Sequence, residues 1–322
     1  MYKKDLLFIK KQIKKASNIF IMGHKYIDVD AFGASLGFYC YATLNKKNAY
    51  IVLDDKKLEK SVQTNIDYYK DKINIIKSVS VQKMVNKKSL LIIVDTTKKP
   101  LLQNSDILNL FSNIIVVDHH SMGHDSIDGE NAVIINDLEA SSTCEMLVSM
   151  LDSDNYLLPS DVATTVLAGI VLDTNNFVIR TNENTYYAAY YLARCGADSR
   201  EVQYLFKEDI KEYIEMQKVI TEVKVVKKIA ISKGLQTKMY RREELAKIAD
   251  TILLFKNIEA SFVIGKTDNG IGVSARSMGN INIGEIMEEF GGGGDCHEAA
   301  TLIKDASLNE VVDRIIKRAR KM

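Results

Sequence analysis

Two runs, Ser89–Val94 (SLLIIV) and Asn113–Val117 (NIIVV), constrain this chain more than any other feature. Each is almost continuously apolar, and a strand of that kind has to be covered on both faces, as strands inside a parallel sheet are. Each also ends on a carboxylate, Asp95 and Asp118, and the second continues into His119 and His120. Further short strands are expected at Asn18–Met22, Tyr50–Leu53, Ile73–Ile76 and Ala132–Ile135, with helices over Met1–Lys15, Ala31–Leu44 and Leu58–Tyr69. From Ala140 the pattern turns helical. Ser141, Ser142 and Thr143 offer capping hydroxyls with Glu145 behind them, and Pro159-Ser160 opens a second helix that runs into Asp173. Helices over Asn184–Arg194 and Ser199–Lys207 follow. Strands alternating with helices predict an α/β fold with a mostly parallel sheet, whose ligands bind beyond the carboxyl ends of the strands.

With 322 residues the chain exceeds one ordinary core, so two domains are expected. A charged helical stretch, Lys207–Lys228, leads into a smaller α+β segment. Its strands are expected at Lys228–Ser232, Ser261–Lys266 and Gly270–Ser277, its helices at Arg242–Leu254, Asn282–Phe290 and Asn309–Arg320, and a four-glycine turn at Gly291–Gly294. The boundary is placed so that residues 1–212 form the first domain and 213–322 the second.

Several function classes fall away on totals. A formal net charge of +1 gives no field that would hold a long nucleic acid, so any nucleotide recognition is local. Cys40, Cys144, Cys195 and Cys296 form no C-x-x-C pair and read as free thiols of a reducing cytosol. No apolar run approaches the roughly 18 residues of a membrane span, so no membrane contact is expected within this chain and a cytoplasmic location is.

The ends of the apolar segments carry His24, Asp28, Asp30, Asp95, Asp118, His119, His120 and Asp173. Taken singly, Asp28 and Asp30 read as helix caps, Asp95 as a turn cap and Asp173 as a surface residue. Taken together, so many acids at the ends of buried segments would repel one another without cations to bridge them. Imidazoles with a surplus of carboxylates suit Mn²⁺ or Mg²⁺ better than structural zinc. The set is large enough for two ions about 3.5–4 Å apart that share a carboxylate.

The segments GHKYIDVDAFGASLG (Gly23–Gly37), VDTT (Val94–Thr97), VVDHH (Val116–His120), EASST (Glu139–Thr143) and AGIVLDTNNF (Ala168–Phe177) resemble the ordered motifs of the DHH phosphoesterase superfamily. VSARS (Val273–Ser277) and GGGG (Gly291–Gly294) resemble its DHHA1 substrate domain. The wording of Arg180–Asp198, followed by Glu208-Asp209, and of Asn280–Gly294 is closer to the GdpP (YybT) type than to the oligonucleotide-degrading members. The resemblance implies a Mn²⁺-dependent phosphodiesterase that hydrolyses cyclic di-AMP to linear pApA in a cleft between the two domains. It implies two Mn²⁺, with Mg²⁺ or Co²⁺ as alternatives. His24 and Asp28 would hold one ion, Asp30, His119 and Asp173 the other, and Asp95 would bridge them. Asp118 and His120 are implied as catalytic neighbours that orient the ligands and meet a phosphate oxygen. A water between the cations would attack phosphorus in line and expel the ribose 3′-oxygen. Ser141, Ser142, Arg276, Gly291, Gly292, Gly293, Gly294 and His297 are implied as substrate contacts, Arg276 through its planar fork and the glycines by admitting close approach of the backbone.

The chain departs from the family at two places: Ser121-Met122-Gly123-His124 follows the Asp-His-His run in place of the basic residue often seen there, and the residue after the four glycines differs. Asp295 follows the four glycines where the family has His, and His297 comes two residues later. A carboxylate facing a phosphodiester repels it, so either His297 takes over by a local shift or substrate is bound differently. Two further readings stay open: an oligoribonuclease or pAp phosphatase acting on short linear nucleotides, a short linear dinucleotide among them, and a cyclic dinucleotide-binding sensor with impaired chemistry. Full-length relatives carry transmembrane helices ahead of this unit, so the chain also reads as the cytosolic catalytic part of a membrane-anchored protein. A homodimer is compatible with all of these.

Overall fold

In the computed structural model, which describes residues 3–321 apart from 57, 130 and 208, the two apolar runs are adjacent strands of a six-stranded parallel sheet. Its elements are α1 (Lys3–Lys15), β1 (Asn18–Met22), α2 (Val29–Leu44), β2 (Asn48–Val52), α3 (Lys60–Tyr69), β3 (Ile75–Ile76), α4 (Ser78–Met84), β4 (Leu90–Val94), β5 (Ile114–Asp118) and β6 (Ala132–Asn136). Four helices follow: α5 (Thr143–Asp152), α6 (Ser160–Asp173), α7 (Glu183–Arg194) and α8 (Ser199–Leu205). Neighbours in the sheet run in the order β3-β2-β1-β4-β5-β6, every pair parallel.

The continuous apolar runs have a direct cause. In β1, Ile19 and Ile21 enter the core under α1, α2, α5, α6 and α7, while Phe20 and Met22 enter a second core on the opposite face. Leu90, Ile92 and Val94 part from Leu91 and Ile93 in the same way. With both faces covered, no position along the strand is left for a polar residue. The strand order reverses between β1 and β4, which lie side by side with Met22 opposite Ile93. Loops leaving the carboxyl ends of strands at such a reversal diverge and open a crevice.

Two site residues arrive from helices. Asp173 is the last residue of α6, and Asp30 lies in the first turn of α2 rather than in the loop before it. Among the described helices none is long and apolar enough to cross a membrane.

The chain divides into two compact units, Met1–Lys207 and Glu208–Met322. The division expected at 212 falls inside α9 (Ile210–Thr221), whose Met216, Val219 and Ile220 are buried with Ala230, Tyr240, Leu245 and Val263 of the second unit. That unit continues with β7 (Lys224–Val226), β8 (Ile229–Lys233), α10 (Arg242–Leu253), β9 (Ala260–Thr267), β10 (Gly270–Ser277), α11 (Ile283–Glu288), β11 (Gly293–Gly294), β12 (Glu298–Ile303) and α12 (Leu308–Lys321). Its mixed sheet has the order β11-β12-β10-β9-β8-β7, with only β8 and β9 parallel. α10 covers one face and α11 with α12 the other. Sequence patterning missed β12, where Glu298-Ala299-Ala300-Thr301 has too little hydrophobic contrast to reveal a strand, and α4, a short helix on the sheet's flank.

Candidate metal centre

The crevice between the ends of β1 and β4 collects the acidic and imidazole groups. Asp28 caps α2, its Oδ1 accepting from the Ala31 N–H at 3.0 Å. His24, in the loop before it, donates from Nδ1 to the Lys25 carbonyl (2.7 Å), so Nε2 is the nitrogen that faces the carboxylates of Asp28 (3.6 Å) and Asp95 (3.4 Å). Asp95 follows β4 with φ +63°, a left-handed backbone that costs energy in a residue other than glycine and is held here by its surroundings. His119 Nε2 lies 3.1 Å from Asp173 and 3.4 Å from Asp95.

These atoms fall into groups whose members all lie within 4.8 Å of one another: His24, Asp28 and Asp95; Asp30, His119 and Asp173; and Asp95, His119 and His120. Asp95 presents Oδ2 to His24 and Oδ1 to His119, standing between the first two groups.

Electrostatics follow from burial and crowding. Burial would lower His24, but Asp28 and Asp95 outweigh it and hold the imidazole well above its ordinary value. Burial likewise opposes His119, and Asp173 with Asp95 raises it well above. Asp95 would be pushed up by burial, yet His119, His24 and His120 bring it well below the usual carboxylate range. Burial, followed by the charges of Asp95 and Asp173, pushes Asp30 well up, and burial pushes Asp173 up to about 6. The surrounding carboxylates thus favour the protonated form of the imidazoles.

The N-terminus of α5 closes the site from behind. The backbone N–H groups of Thr143 and Cys144 donate to Oδ2 (2.8 Å) and Oδ1 (2.9 Å) of Asp30, and the Thr143 hydroxyl donates to Asp95 Oδ1 at 2.9 Å. A helix start aimed at a carboxylate stabilises its charge. α6 approaches so closely that a Cβ on Gly169 would sit 2.9 Å from the Asp30 Cα and 2.7 Å from Cys144 Sγ. The sequence offers Thr143 as a capping hydroxyl within the EASST motif and does not single out Gly169; a segment 48 residues from Asp95 and 113 from Asp30 gives no local sign of such contacts.

Ser141 and Ser142, expected to meet substrate, are fully buried: Ser142 caps α5 through Glu145 N (3.1 Å), and the Ser141 hydroxyl bonds Glu145 Oε2 (2.5 Å). Asp118 is also fully buried, its Oδ1 accepting from both the backbone N–H (3.1 Å) and Nδ1 (2.9 Å) of His120. His120 itself is half exposed, its side chain 48% accessible, and burial of the rest is outweighed by Asp118 and Asp95, which raise it.

The residues fit a divalent cation on their own chemistry. Three buried side-chain atoms among the described residues have no hydrogen-bond partner, Thr97 Oγ1, Asp118 Oδ2 and His119 Nε2, and two of them belong to the Asp-His-His run. A buried imidazole nitrogen faced by carboxylates yet aligned with none as a hydrogen bond has the surroundings of a metal ligand.

In the second unit Arg276 is engaged: Nε donates to Asp250 Oδ1 (2.8 Å), Nη1 to Ser274 Oγ (3.3 Å) and the Ala275 carbonyl (3.0 Å), and Nη2 lies 3.6 Å from Glu298. Three of the four glycines have structural reasons. Gly291, at φ +76°, ends α11, with its N–H on the Glu288 carbonyl and the next N–H on that of Met287. A Cβ on Gly292 would meet the Ala300 carbonyl at 2.2 Å, and one on Gly294 the Glu298 carbonyl at 2.2 Å. Gly293 has open space around it. Asp295 Oδ1 accepts from the N–H groups of His297 (2.7 Å) and Glu298 (2.8 Å), turning the chain into β12, and His297 Nδ1 rests 3.4 Å from the Ser277 carbonyl.

The sequence matches the DHH family N-terminal domain over residues 18–170 and the DHHA1 domain over 211–321. It is 34% identical over 316 residues to the cyclic-di-AMP phosphodiesterase PdeA of Listeria monocytogenes, covering 96% of this chain and 48% of that protein. The chain thus spans about half the length of that relative. It is 26% identical over 321 residues to the bifunctional oligoribonuclease and PAP phosphatase NrnA of Mycoplasma genitalium, covering 95% of each. An exopolyphosphatase-related protein from Bacteroides fragilis shares the fold, with a TM-score of 0.83 at 18% identity over 99% of this chain and 96% of that one. With both domain matches in tandem and the acidic strand ends gathered into one crevice, the chain belongs to the DHH family, its DHH domain followed by a DHHA1 domain.

Proposed function

We propose that this chain is a divalent-metal-dependent phosphodiesterase that opens cyclic di-AMP to linear pApA. The observation that carries the reading is the placement of Asp95 between the His24–Asp28 and Asp30–His119–Asp173 groups, supported by 34% identity to a protein named for that activity. His24, Asp28 and Asp95 would hold one cation, and Asp30, His119, Asp173 and Asp95 the second, with Mn²⁺ as the ion proposed. When bound, such a pair supplies Lewis acidity for phosphoryl chemistry. The chain's own groups do the rest. Thr143 and Cys144 fix Asp30, Thr143 fixes Asp95, and buried Asp118 orients His120. His120, half exposed and hydrogen-bonded through Nδ1 to Asp118, is the residue proposed to meet a phosphate oxygen. In the DHHA1 domain, Gly293, with no side chain and open space, is the glycine proposed to admit the substrate backbone.

Full-length similarity to NrnA favours a second reading, cleavage of short linear nucleotides. The test is an assay of cyclic di-AMP beside pApA and pAp in Mn²⁺, with products separated by chromatography. Conversion of cyclic di-AMP to pApA is the expected result. Turnover of the linear substrates alone would move the assignment to the second reading, and tight dinucleotide binding without turnover in any divalent ion would make the chain a sensor.

A further inference from the structure

Gln103 lies in the segment after β4, is 7% exposed, and saturates its side-chain amide. Nε2 donates to the main-chain carbonyl of His24 (2.7 Å) and to Asp55 Oδ2 (2.7 Å), while Oε1 accepts from the N–H groups of Asp54 (2.8 Å) and Asp55 (3.1 Å). An amide offers two donors and two acceptor positions, so none is left over. Asp55 Oδ2 also accepts from the Ile27 N–H at 3.0 Å, and the Lys25 N–H reaches the Leu101 carbonyl at 2.6 Å. The loop between β1 and α2 is therefore tied at residues 24, 25 and 27 to the segments that follow β2 and β4. Between the ties, Tyr26 is held at φ +57°, a conformation an aromatic residue keeps only when its surroundings fix it.

The consequence reaches the metal centre through geometry. Gln103 fixes the backbone of His24, and the Lys25 carbonyl, next along that backbone, receives Nδ1 and turns Nε2 toward Asp28 and Asp95. Asp55 fixes Ile27, the residue before Asp28. We infer that Gln103, acting with Asp55, is a positioning residue that holds His24 and Asp28 in register with Asp95 for cation binding. The inference rests on the proposal that these three residues hold a divalent ion. Neither Gln103 nor Asp55 touches that ion; both act through the loop.

The test is calorimetric titration of the full chain with Mn²⁺ alone. Gln103→Met keeps the length and volume of the side chain and removes all four hydrogen bonds; Asp55→Asn keeps shape and removes the charge that Gln103 and Ile27 share. Tyr41→Phe, which deletes the hydroxyl bonded to Asp154 (2.8 Å) about three turns along α2, is the control for loss of stability without loss of positioning. Gln103→Met is expected to weaken Mn²⁺ binding by about 10–100-fold, as loss of groups behind metal ligands does, and Asp55→Asn to weaken it in the same direction, while Tyr41→Phe leaves it unchanged. Should Gln103→Met fail to fold, Asp55→Asn decides. Wild-type affinity in whichever variant folds would overturn the inference and leave the metal proposal standing. No Mn²⁺ binding by the wild type would remove both.

Discussion

The hydroxyl of Thr143 donates to Asp95 Oδ1 at 2.9 Å, joining the first residue of α5 to the carboxylate that stands between the two groups proposed to hold metal. Asp95 is 3% exposed, so a lost partner is not replaced by bulk water. Thr143→Val keeps the shape and removes the donor. Loss of a hydrogen bond to a charged group costs about 1.5–3 kcal/mol. Weaker Mn²⁺ binding by Thr143→Val, with recovery in Thr143→Ser, is the expected pattern in titration calorimetry. Equal affinities for Val and Ser would show that Thr143 serves only as a helix start.

Asp95 belongs to two of the three close groups and faces both His24 and His119, whereas Asp28 and Asp173 belong to one group each. Asp95→Ala should therefore abolish turnover and reduce bound Mn²⁺ below the loss caused by Asp28→Ala or Asp173→Ala. Metal content of the desalted proteins, measured by mass spectrometry, ranks the three. A loss at Asp95 no greater than at Asp28 would contradict its bridging place.

The protonation pattern sets how the metal-free protein responds to pH. His24 and His119 are raised above their unfolded value of about 6.5, so the stability they contribute is complete below that pH and is lost as pH rises through their folded values. Asp173, raised to about 6, loses its contribution in the same direction between about 4 and 6. Asp95 is depressed and acts the other way, losing stability only in stronger acid. In EDTA the melting temperature should fall as pH rises from about 6 to 8. Mn²⁺ competes with those protons, so the stabilisation it confers should grow over the same range. A metal-free melting temperature that is flat over these pH values would contradict the imidazole–carboxylate arrangement.

Gly169 lets α6 press on Asp30. Gly169→Ala would put a methyl carbon 2.9 Å from both Cα and Oδ1 of Asp30, against backbone that cannot swing aside. Overpacking of this kind costs about 1–3 kcal/mol and here also displaces a proposed ligand. A lower melting temperature together with weaker Mn²⁺ binding is expected. Reduced stability with unaltered binding would show that Asp30 does not respond to the strain.

What could be read from the chain and what could not divide along a physical line. β4 and β5 were legible because burial on both faces leaves an unbroken apolar run, and Asp95 and Asp118 were legible because they interrupt it. The sheet order, which sets β1 beside β4 and so His24 beside Asp95, follows from long-range pairing that no local window carries. Gln103 and Asp55 were invisible for the same reason: a polar residue in a loop looks like any other until the backbone groups it satisfies are known. The separate conformational or contact reasons for Gly291, Gly292 and Gly294 depend on β12 and the end of α11 and are not legible in the run of glycines itself.

That separation of the glycines gives the last test. In Gly292→Ala the added carbon would lie 2.2 Å from the Ala300 carbonyl and 2.5 Å from Thr301 Cβ, across the strand that β11 pairs with. A cost of about 1–3 kcal/mol in the second unit is expected, with any change in activity inseparable from it. Gly293→Ala meets nothing within 4 Å and carries no positive φ, so its melting temperature should match the wild type, within about 0.5 kcal/mol in free energy. If Gly293 admits the substrate backbone, its Ala variant raises KM for the dinucleotide while kcat is retained, because the methyl obstructs binding and leaves the metal centre intact. Steady-state kinetics on the two variants separates the roles. An unchanged KM in a stable Gly293→Ala protein would remove Gly293 from the substrate site.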